Sequence, residues 1–140
     1  MNNSRIEQLR QYLFGVINSL TEDRNYQIGA DFLGTIGDYS LDKIPTDLEI
    51  TKWITGTTIK RDVYSFRSRK PYSQRTIDNL KNIGFFEAFE YKIKSNNDKG
   101  ILPDIENIQS IECLNCGTLN SVDGQEATFD IQIQITYREE

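Results

Sequence analysis

Strict alternation of apolar and polar residues near the end of the chain is the feature that most constrains its fold. The apolar positions of the segment TFDIQIQITY, residues 128–137, are Phe129, Ile131, Ile133, Ile135 and Tyr137. A period of two residues predicts a β-strand with one buried face. The other face carries Asp130, Gln132 and Gln134 between threonines. Because that face is nearly neutral, we expect it to pack against another strand or subunit or to line a lumen, with a solvated strand face as the plain alternative.

Composition limits what the chain can do. Its 140 residues suit one domain, residues 1–140, and no apolar run approaches the ~20 residues of a membrane helix. The N-terminal segment lacks the apolar core of a signal peptide, which predicts a protein that stays in the cytoplasm. The absence of histidine removes Ser–His and Cys–His pairs and most catalytic zinc sites. We therefore expect no enzyme and no cofactor.

The two cysteines do not form a recognisable site. Cys113 and Cys116 lie in a single C-L-N-C segment, without a second pair or a histidine that would complete a zinc site. A redox motif would open a helix after a strand, whereas this pair falls inside the predicted strand IECLNCGTL. Two ordinary thiols are the expected interpretation.

Periodicity and turn residues predict the other elements. Residues 4–20 form an amphipathic helix that begins with the capping box of Ser4 and Glu7. A strand is predicted over residues 26–33, and then an irregular acidic stretch over residues 34–49, because Pro45 discourages regular structure. Residues 49–55 and 57–69 are predicted to be two strands joined around Gly56.

The second half of the chain is predicted to begin with a pair of helices. Residues 74–83 form the first, Gly84 interrupts, and the second begins at Phe85 and stops at Gly100. The strand with the two cysteines and the alternating strand follow, joined by a turn at Asp123 and Gly124. The fold class is α+β: a mainly antiparallel sheet with an N-terminal helix and a central helical pair packed on one face.

Basic residues crowd the predicted strand that follows Gly56. Six lie within 16 residues, opposed only by Asp62: Lys60, Arg61, Arg67, Arg69, Lys70 and Arg75. The three arginines from 61 to 69 share parity, so they project from one strand face. Interleaved aromatic residues, Tyr64, Phe66 and Tyr72, leave open a nucleic-acid interpretation, which the net charge of −5 and the pI of 4.8 disfavour. A solvated strand face is the other alternative.

Acidic residues precede this basic segment and offer it a complementary surface. They are Asp38, Asp42, Asp47 and Glu49. The two sets of charges could pair within one chain. Between copies, the contact would join two different surfaces, and repetition of such a contact could generate a closed ring. We therefore predict a subunit interface that includes Lys60, Arg61, Arg67, Arg69, Lys70, Asp38, Asp42, Asp47 and Glu49.

The order of segments resembles the small "minor capsid" proteins of Firmicutes phages and prophages, which are similar to tail terminator proteins. The resemblance covers nearly the whole chain from residue 4 onward. It rests on IEQLRQYLFGVINSL, DYSLDKIPTDLEITKWITGTTIKRDVYSFRSR, NIGFFEAFEYKIKSNNDKGILPDI and IQSIECLNCGTLNSVDGQEATFDIQIQITY. The GFFE-x-F segment with the G-x-L-P that follows it is the most specific part, and the final hairpin is next.

The resemblance implies a structural role in a virion. Tail terminators form a ring, typically of six copies, on the last ring of the tail tube, in the neck of the particle. They stop polymerisation of the tube and present a surface to the head-side connector or stopper, and in contractile tails they also contact the sheath. Assembly in the bacterial cytoplasm follows, with DNA passing through an acidic ring without specific binding. The alternative is another head–tail joining protein, a stopper or adaptor.

Overall fold

The computed structural model describes residues 4–21, 26–30, 38–45, 49–52, 56–71, 76–115, 118–123 and 126–139. Two helices and seven strands occur in these ranges. In chain order they are α1 (Arg5–Leu20), β1 (Ile28–Ala30), β2 (Tyr39–Ile44), β3 (Glu49–Lys52), β4 (Thr58–Pro71), α2 (Thr76–Asp98), β5 (Ile108–Cys113), β6 (Thr118–Asp123) and β7 (Glu126–Glu139). Every strand pair is antiparallel except β1 with β2. The predicted α+β class with a mainly antiparallel sheet is confirmed.

Two long strands form the centre of the sheet. β4 and β7 have 14 residues each and pair without a break, from Thr58 opposite Glu139 to Pro71 opposite Glu126. A strand of this length extends about 46 Å. β2 and β3 pair with the far side of β4, while β5 and β6 pair with the far side of β7.

The alternating strand buries the predicted face. Every apolar side chain from Phe129 to Tyr137 at alternate positions of β7 is at most 6% exposed. The three isoleucines share one cluster with Leu9 and Leu13 of α1 and Phe89 of α2, so both helices lie on the same face of the sheet. Phe129 packs against Phe86 of α2 in a second cluster. We call this face the inner sheet face.

Aromatic rings join the helices to the sheet. Phe66 of β4 lies between Tyr39 and Phe89, with ring centroids 5.2 and 5.3 Å away in stacked arrangements. Phe85 extends the group toward Phe86, which contacts Phe129 at 5.1 Å. Such ring pairs add stability beyond the area that they bury.

The first helix begins where the capping box predicts. The Ser4 hydroxyl oxygen accepts a hydrogen bond from the Glu7 backbone N–H at 3.3 Å. The apolar stripe of the helix is buried at Leu9, Leu13 and Val16, which turn toward the sheet. The sequence therefore sets both the start of α1 and the side that packs.

The predicted central pair of helices is wrong, because α2 is one continuous helix from Thr76 to Asp98. Gly84 lies inside it and is exposed. A glycine in a helix interior costs about 1 kcal/mol, which is less than burial of the aromatic side chains on the next turns contributes. Phe86 and Phe89 are nearly or fully buried there, so the helix continues through the glycine. The predicted stop is confirmed at Gly100, whose φ of +76° ends the helix.

Gly84→Ala is expected to stabilise the protein by about 0.5–1 kcal/mol, because alanine restricts the unfolded chain and favours helix. An added Cβ meets nothing within 4 Å. Gly100→Ala is the matched control: the space around it is equally open, but the positive φ makes the substitution unfavourable by about 1–2 kcal/mol. Urea unfolding of both variants tests the pair. A loss of stability in Gly84→Ala would contradict a continuous helix.

Residues 34–49, predicted to be irregular, contain the strand β2, Tyr39–Ile44. Tyr39 and Leu41 are buried in the core, and their strand pairs with β4. Pro45 follows the strand, so it limits β2 at its end. The strand predicted over residues 26–33 is confirmed only at Ile28–Ala30, and residues 31–33 lie outside the described ranges.

The strand predicted around the two cysteines is two strands, because β5 ends at Cys113 and β6 begins at Thr118. At the break, the side-chain oxygen of Asn115 accepts a hydrogen bond from the Gln132 backbone N–H at 2.8 Å. The side chain thus replaces one bond of the strand ladder. Cys116 lies outside the described residues, as does the predicted turn residue Gly124, although β6 and β7 pair on either side of that turn.

Candidate interaction surface

One face of the sheet has neither described helix over it, and we call it the outer sheet face. By register and parity it carries Ser40, Asp42, Ile44, Ile59, Arg61, Val63, Ser65, Arg67, Arg69, Glu112, Thr128, Asp130, Gln132, Gln134, Thr136 and Arg138. Both helices pack on the inner sheet face. Most of the side chains on the outer sheet face are nevertheless half-buried, and Gln134 is only 8% exposed.

The structure divides the predicted basic residues between the two faces. Arg61, Arg67 and Arg69 lie on the outer sheet face, opposite Thr136, Asp130 and Thr128, as their parity predicts. The lysines that flank them in sequence, Lys60 and Lys70, have the other parity. They lie at the two ends of the inner sheet face.

Arg67 and Asp42 form an ion pair within the chain, between the Arg67 Nε and Asp42 Oδ2 atoms. Ser40 supports the pair, because its hydroxyl donates to the Asp42 Oδ1 atom at 2.6 Å. Backbone pairing of β2 with β4 places these residues on neighbouring strands. Of the two arrangements that the sequence left open, local pairing therefore holds for this arginine.

The residues predicted to face a neighbour or a lumen lie on the outer sheet face, and two of them bond within the chain. The Ser65 hydroxyl donates to the Asp130 Oδ1 atom at 2.6 Å. The Gln134 side-chain nitrogen donates to the Glu112 Oε1 atom at 2.9 Å. These two side chains are thus already hydrogen-bonded within the chain.

Both lysines of the basic segment also have partners in the chain. The Lys60 Nζ atom lies 2.9 Å from the Glu139 Oε1 atom. The Lys70 Nζ atom donates to the Tyr39 hydroxyl at 2.7 Å and lies 4.1 Å from the centroid of the Phe85 ring. A cation over an aromatic face is an attractive contact, so Lys70 covers the end of the aromatic cluster.

The remaining acidic residues of the predicted interface are only partly described. Asp38 adjoins β4, because its backbone oxygen accepts the Arg69 N–H at 3.1 Å and its Oδ1 atom accepts the Gln27 N–H at 2.9 Å. Glu49 begins β3, opposite Lys60 in the backbone register. Asp47 lies outside the described residues. The subunit interface as a whole stays a prediction.

Two of the three aromatic residues on which the nucleic-acid interpretation depends are buried. Tyr64 and Phe66 face the core and are 1% and 0% exposed. Buried rings cannot stack on bases, which is the contact that a single-strand binding surface needs. Tyr72 lies outside the described residues.

A buried carboxylate on the inner sheet face is the site that sequence reasoning missed. Asp62 is fully buried, and its Oδ2 atom accepts from the Arg5 Nε atom at 2.6 Å. The Lys43 Nζ atom lies 3.7 Å from Asp62 Oδ1, and the Tyr64 hydroxyl donates to Oδ2 at 3.3 Å. The Arg5 guanidinium also lies over the Tyr137 ring, 4.5 Å from its centroid.

This cluster fixes the start of α1 on β4. Burial lowers the pKa of Arg5, but the hydrogen bond and charge of Asp62 outweigh it, so the pKa is raised and the guanidinium stays charged. Asp62 lies between two cations, Arg5 and Lys43, which is the arrangement of an ion pair. The sequence does indicate this burial. Asp62 is separated from Tyr64 and Phe66 by even numbers of residues along β4, so its side chain projects to the same buried face as theirs.

Stability is expected to fall as the pH rises above about 10. Burial, and then the charge of Asp62, raises the pKa of Tyr64 and of Tyr137 above the ordinary 10.0 of tyrosine. The unfolded chain therefore loses these protons at a lower pH than the folded chain, and stability that is present below pH 10 is lost progressively above it. Urea unfolding from about pH 8 to pH 11 measures the decline, which Tyr64→Phe should make shallower. Equal stability across that range would contradict the prediction.

Comparison of the chain with protein-family models and with curated proteins found no match. Among the described residues, no helix is long and apolar enough to cross a membrane. Searched over the same part of the chain, no group of three or more cysteine, aspartate or glutamate residues could hold a metal ion. The features that bear on function are therefore the fold, the outer sheet face and the resemblance in segment order.

Proposed function

We propose that the chain is a virion structural protein of the tail terminator class, which forms a ring at the head-proximal end of a phage tail tube. Two kinds of support are independent of each other. The order of segments resembles that of the family from residue 4 onward. The fold, an antiparallel sheet with helices on one side, is of the α+β class that the resemblance implies.

The observation that carries the proposal is the outer sheet face. Most of its described side chains are half-buried, and several polar ones bond to one another within the chain, as in the Ser65–Asp130 and Arg67–Asp42 pairs. Polar groups that are satisfied within the chain are cheaper to remove from water than unpaired ones. Such a face is suited to a neighbouring subunit or to a wet lumen.

The charge of the chain supports a passage for DNA through the ring. A net charge of −5 per copy makes a ring of several copies strongly acidic. An acidic wall repels phosphate groups and allows DNA to move without binding. The partners of the ring would be further copies of the chain, the tail tube protein, the head-side connector and, in a contractile tail, the sheath.

Electron microscopy of particles from a lysate that lacks this gene tests the proposal. Tails of uncontrolled, excessive length are the expected result, because the tube would have no terminator. Tails of normal length, detached from filled heads, would instead assign the chain to head–tail joining as a stopper or adaptor. Intact virions with normal tails would contradict both functions. Restoring the gene on a plasmid is the control for effects on neighbouring genes.

A further inference from the structure

The strand order β1-β2-β4-β7-β5 ends at two strands, β1 and β5, that no described strand continues. An edge strand carries main-chain N–H and C=O groups that point away from its one neighbour, and a strand of another molecule can pair with them. The state of these groups therefore decides whether the sheet can extend from one copy of the chain into the next.

At β1, a side chain of α1 occupies an outward main-chain group. The Gln27 oxygen accepts the Tyr39 N–H of β2 at 2.8 Å, so by alternation the main-chain groups of Ile28 point away from β2. The Arg10 Nε atom donates to the Ile28 oxygen at 2.7 Å. The Arg10 guanidinium also lies over the Phe14 ring, 4.9 Å from its centroid, and this attractive contact helps to hold it in place.

At β5, a side chain of α2 occupies the corresponding group. The Leu114 N–H donates to the Gln132 oxygen of β7 at 2.8 Å, so by alternation the main-chain groups of Ile111 point away from β7. The Asn97 Oδ1 atom accepts a hydrogen bond from the Ile111 N–H at 2.9 Å. Each end of the strand order thus has one outward main-chain group bonded to a helix side chain.

The two strand residues that receive these bonds are buried. Ile28 is 1% exposed and Ile111 is 0% exposed, so their main-chain groups need partners within the protein. A strand of another molecule would supply hydrogen bonds to the same groups. It would therefore have to displace the side chains of Arg10 and Asn97 before it could pair.

We propose that Arg10 and Asn97 are edge caps, side chains that prevent the sheet from extending into a second copy through β1 or β5. Each helix thereby protects one end of the sheet in addition to covering the inner sheet face. Copies that assemble do so through other surfaces. The inference goes beyond the proposed function and holds whether or not the chain forms a ring in a tail.

Asn97→Ala in the full chain tests the edge cap at β5, because it frees the Ile111 N–H and allows β5 of one copy to pair with β5 of another. Sedimentation equilibrium with reductant present measures the average mass over a range of protein concentrations. The mass is expected to rise toward twice the wild-type value. Arg10→Ala should do the same through β1, which keeps the proposal testable if one variant fails to fold. The double variant opens both ends and should give larger species.

Two further substitutions separate edge capping from support of the fold. Gln109 is exposed on β5, and adding Gln109→Lys to Asn97→Ala should restore the wild-type mass, because lysine on an edge strand disfavours pairing. Ile131→Val trims a buried residue of the central strand β7, so it lowers stability without opening an edge and should keep the wild-type mass. Wild-type mass in both Asn97→Ala and Arg10→Ala at every concentration would overturn the proposal. Equal association in Ile131→Val, or no rescue by Gln109→Lys, would also overturn it.

Discussion

Arg5→Ala is expected to lower the free energy of unfolding by about 3 kcal/mol, because it leaves a buried carboxylate without its main partner. Asp62 is fully buried, and among the described residues the Lys43 amine at 3.7 Å and the Tyr64 hydroxyl are the partners that remain after the change. The arginine itself is 39% exposed at its side chain. Its direct loss is therefore small, and most of the effect comes from the charge that it leaves behind.

The order of stabilities within a double-mutant cycle distinguishes this explanation from simple loss of a contact. Asp62→Asn should cost less than Arg5→Ala, since Arg5 can turn to water. The double variant Arg5→Ala/Asp62→Asn should be more stable than Arg5→Ala alone by at least about 1 kcal/mol, because the stranded charge is gone. Urea unfolding measures all four proteins. A double variant less stable than both single variants would contradict the account of the buried pair.

Phe89→Ala is expected to destabilise the protein by about 3–5 kcal/mol, because the side chain is large, fully buried and stacked on Phe66 at 5.3 Å. The same helix supplies the control. Tyr91 is an aromatic residue two positions away that is 74% exposed. Tyr91→Ala should change stability by no more than about 0.5 kcal/mol. Equal losses in the two variants would mean that α2 does not present this side to the sheet.

The parts of the fold that the sequence predicts well are those with a strong period and a local signal. β7 alternates without exception over residues 128–137, and α1 combines a stripe of apolar residues with a cap at Ser4. Both elements form as expected. β2 is not predicted because its apolar residues are few in an acidic segment. Tyr39 and Leu41 are buried, and pairing with β4 supplies the stability that local preference lacks.

Helix α2 shows that a glycine in the sequence does not by itself end a helix. Gly84 has no packing neighbour, so its cost is only that of a flexible backbone. Gly100 ends the helix with a positive φ, as its place before Pro103 predicts. The same residue type thus acts in two ways, and burial of the aromatic residues that follow Gly84 carries the helix through that position.

The sequence predicts from which face of the sheet the arginines of the candidate surface project. It does not predict which residues they contact. Parity placed Arg61, Arg67 and Arg69 on one face, and the register of β4 with β7 confirms it. That Arg67 meets Asp42 depends on β2 lying beside β4, and β2 was not predicted. Asp62 was counted as a lone acid among basic residues, although its parity with Tyr64 and Phe66 indicates burial.

Cryo-electron microscopy of the neck of the virion that carries this chain tests the central claim most directly. The account predicts a closed ring of copies of this fold between the last ring of the tail tube and the head-side connector. Within that ring, the outer sheet face of each copy should contact a neighbouring copy or line the lumen. A neck without density for this chain would contradict the account. A ring in which the outer sheet face is bathed in external solvent would also contradict the role given to that face.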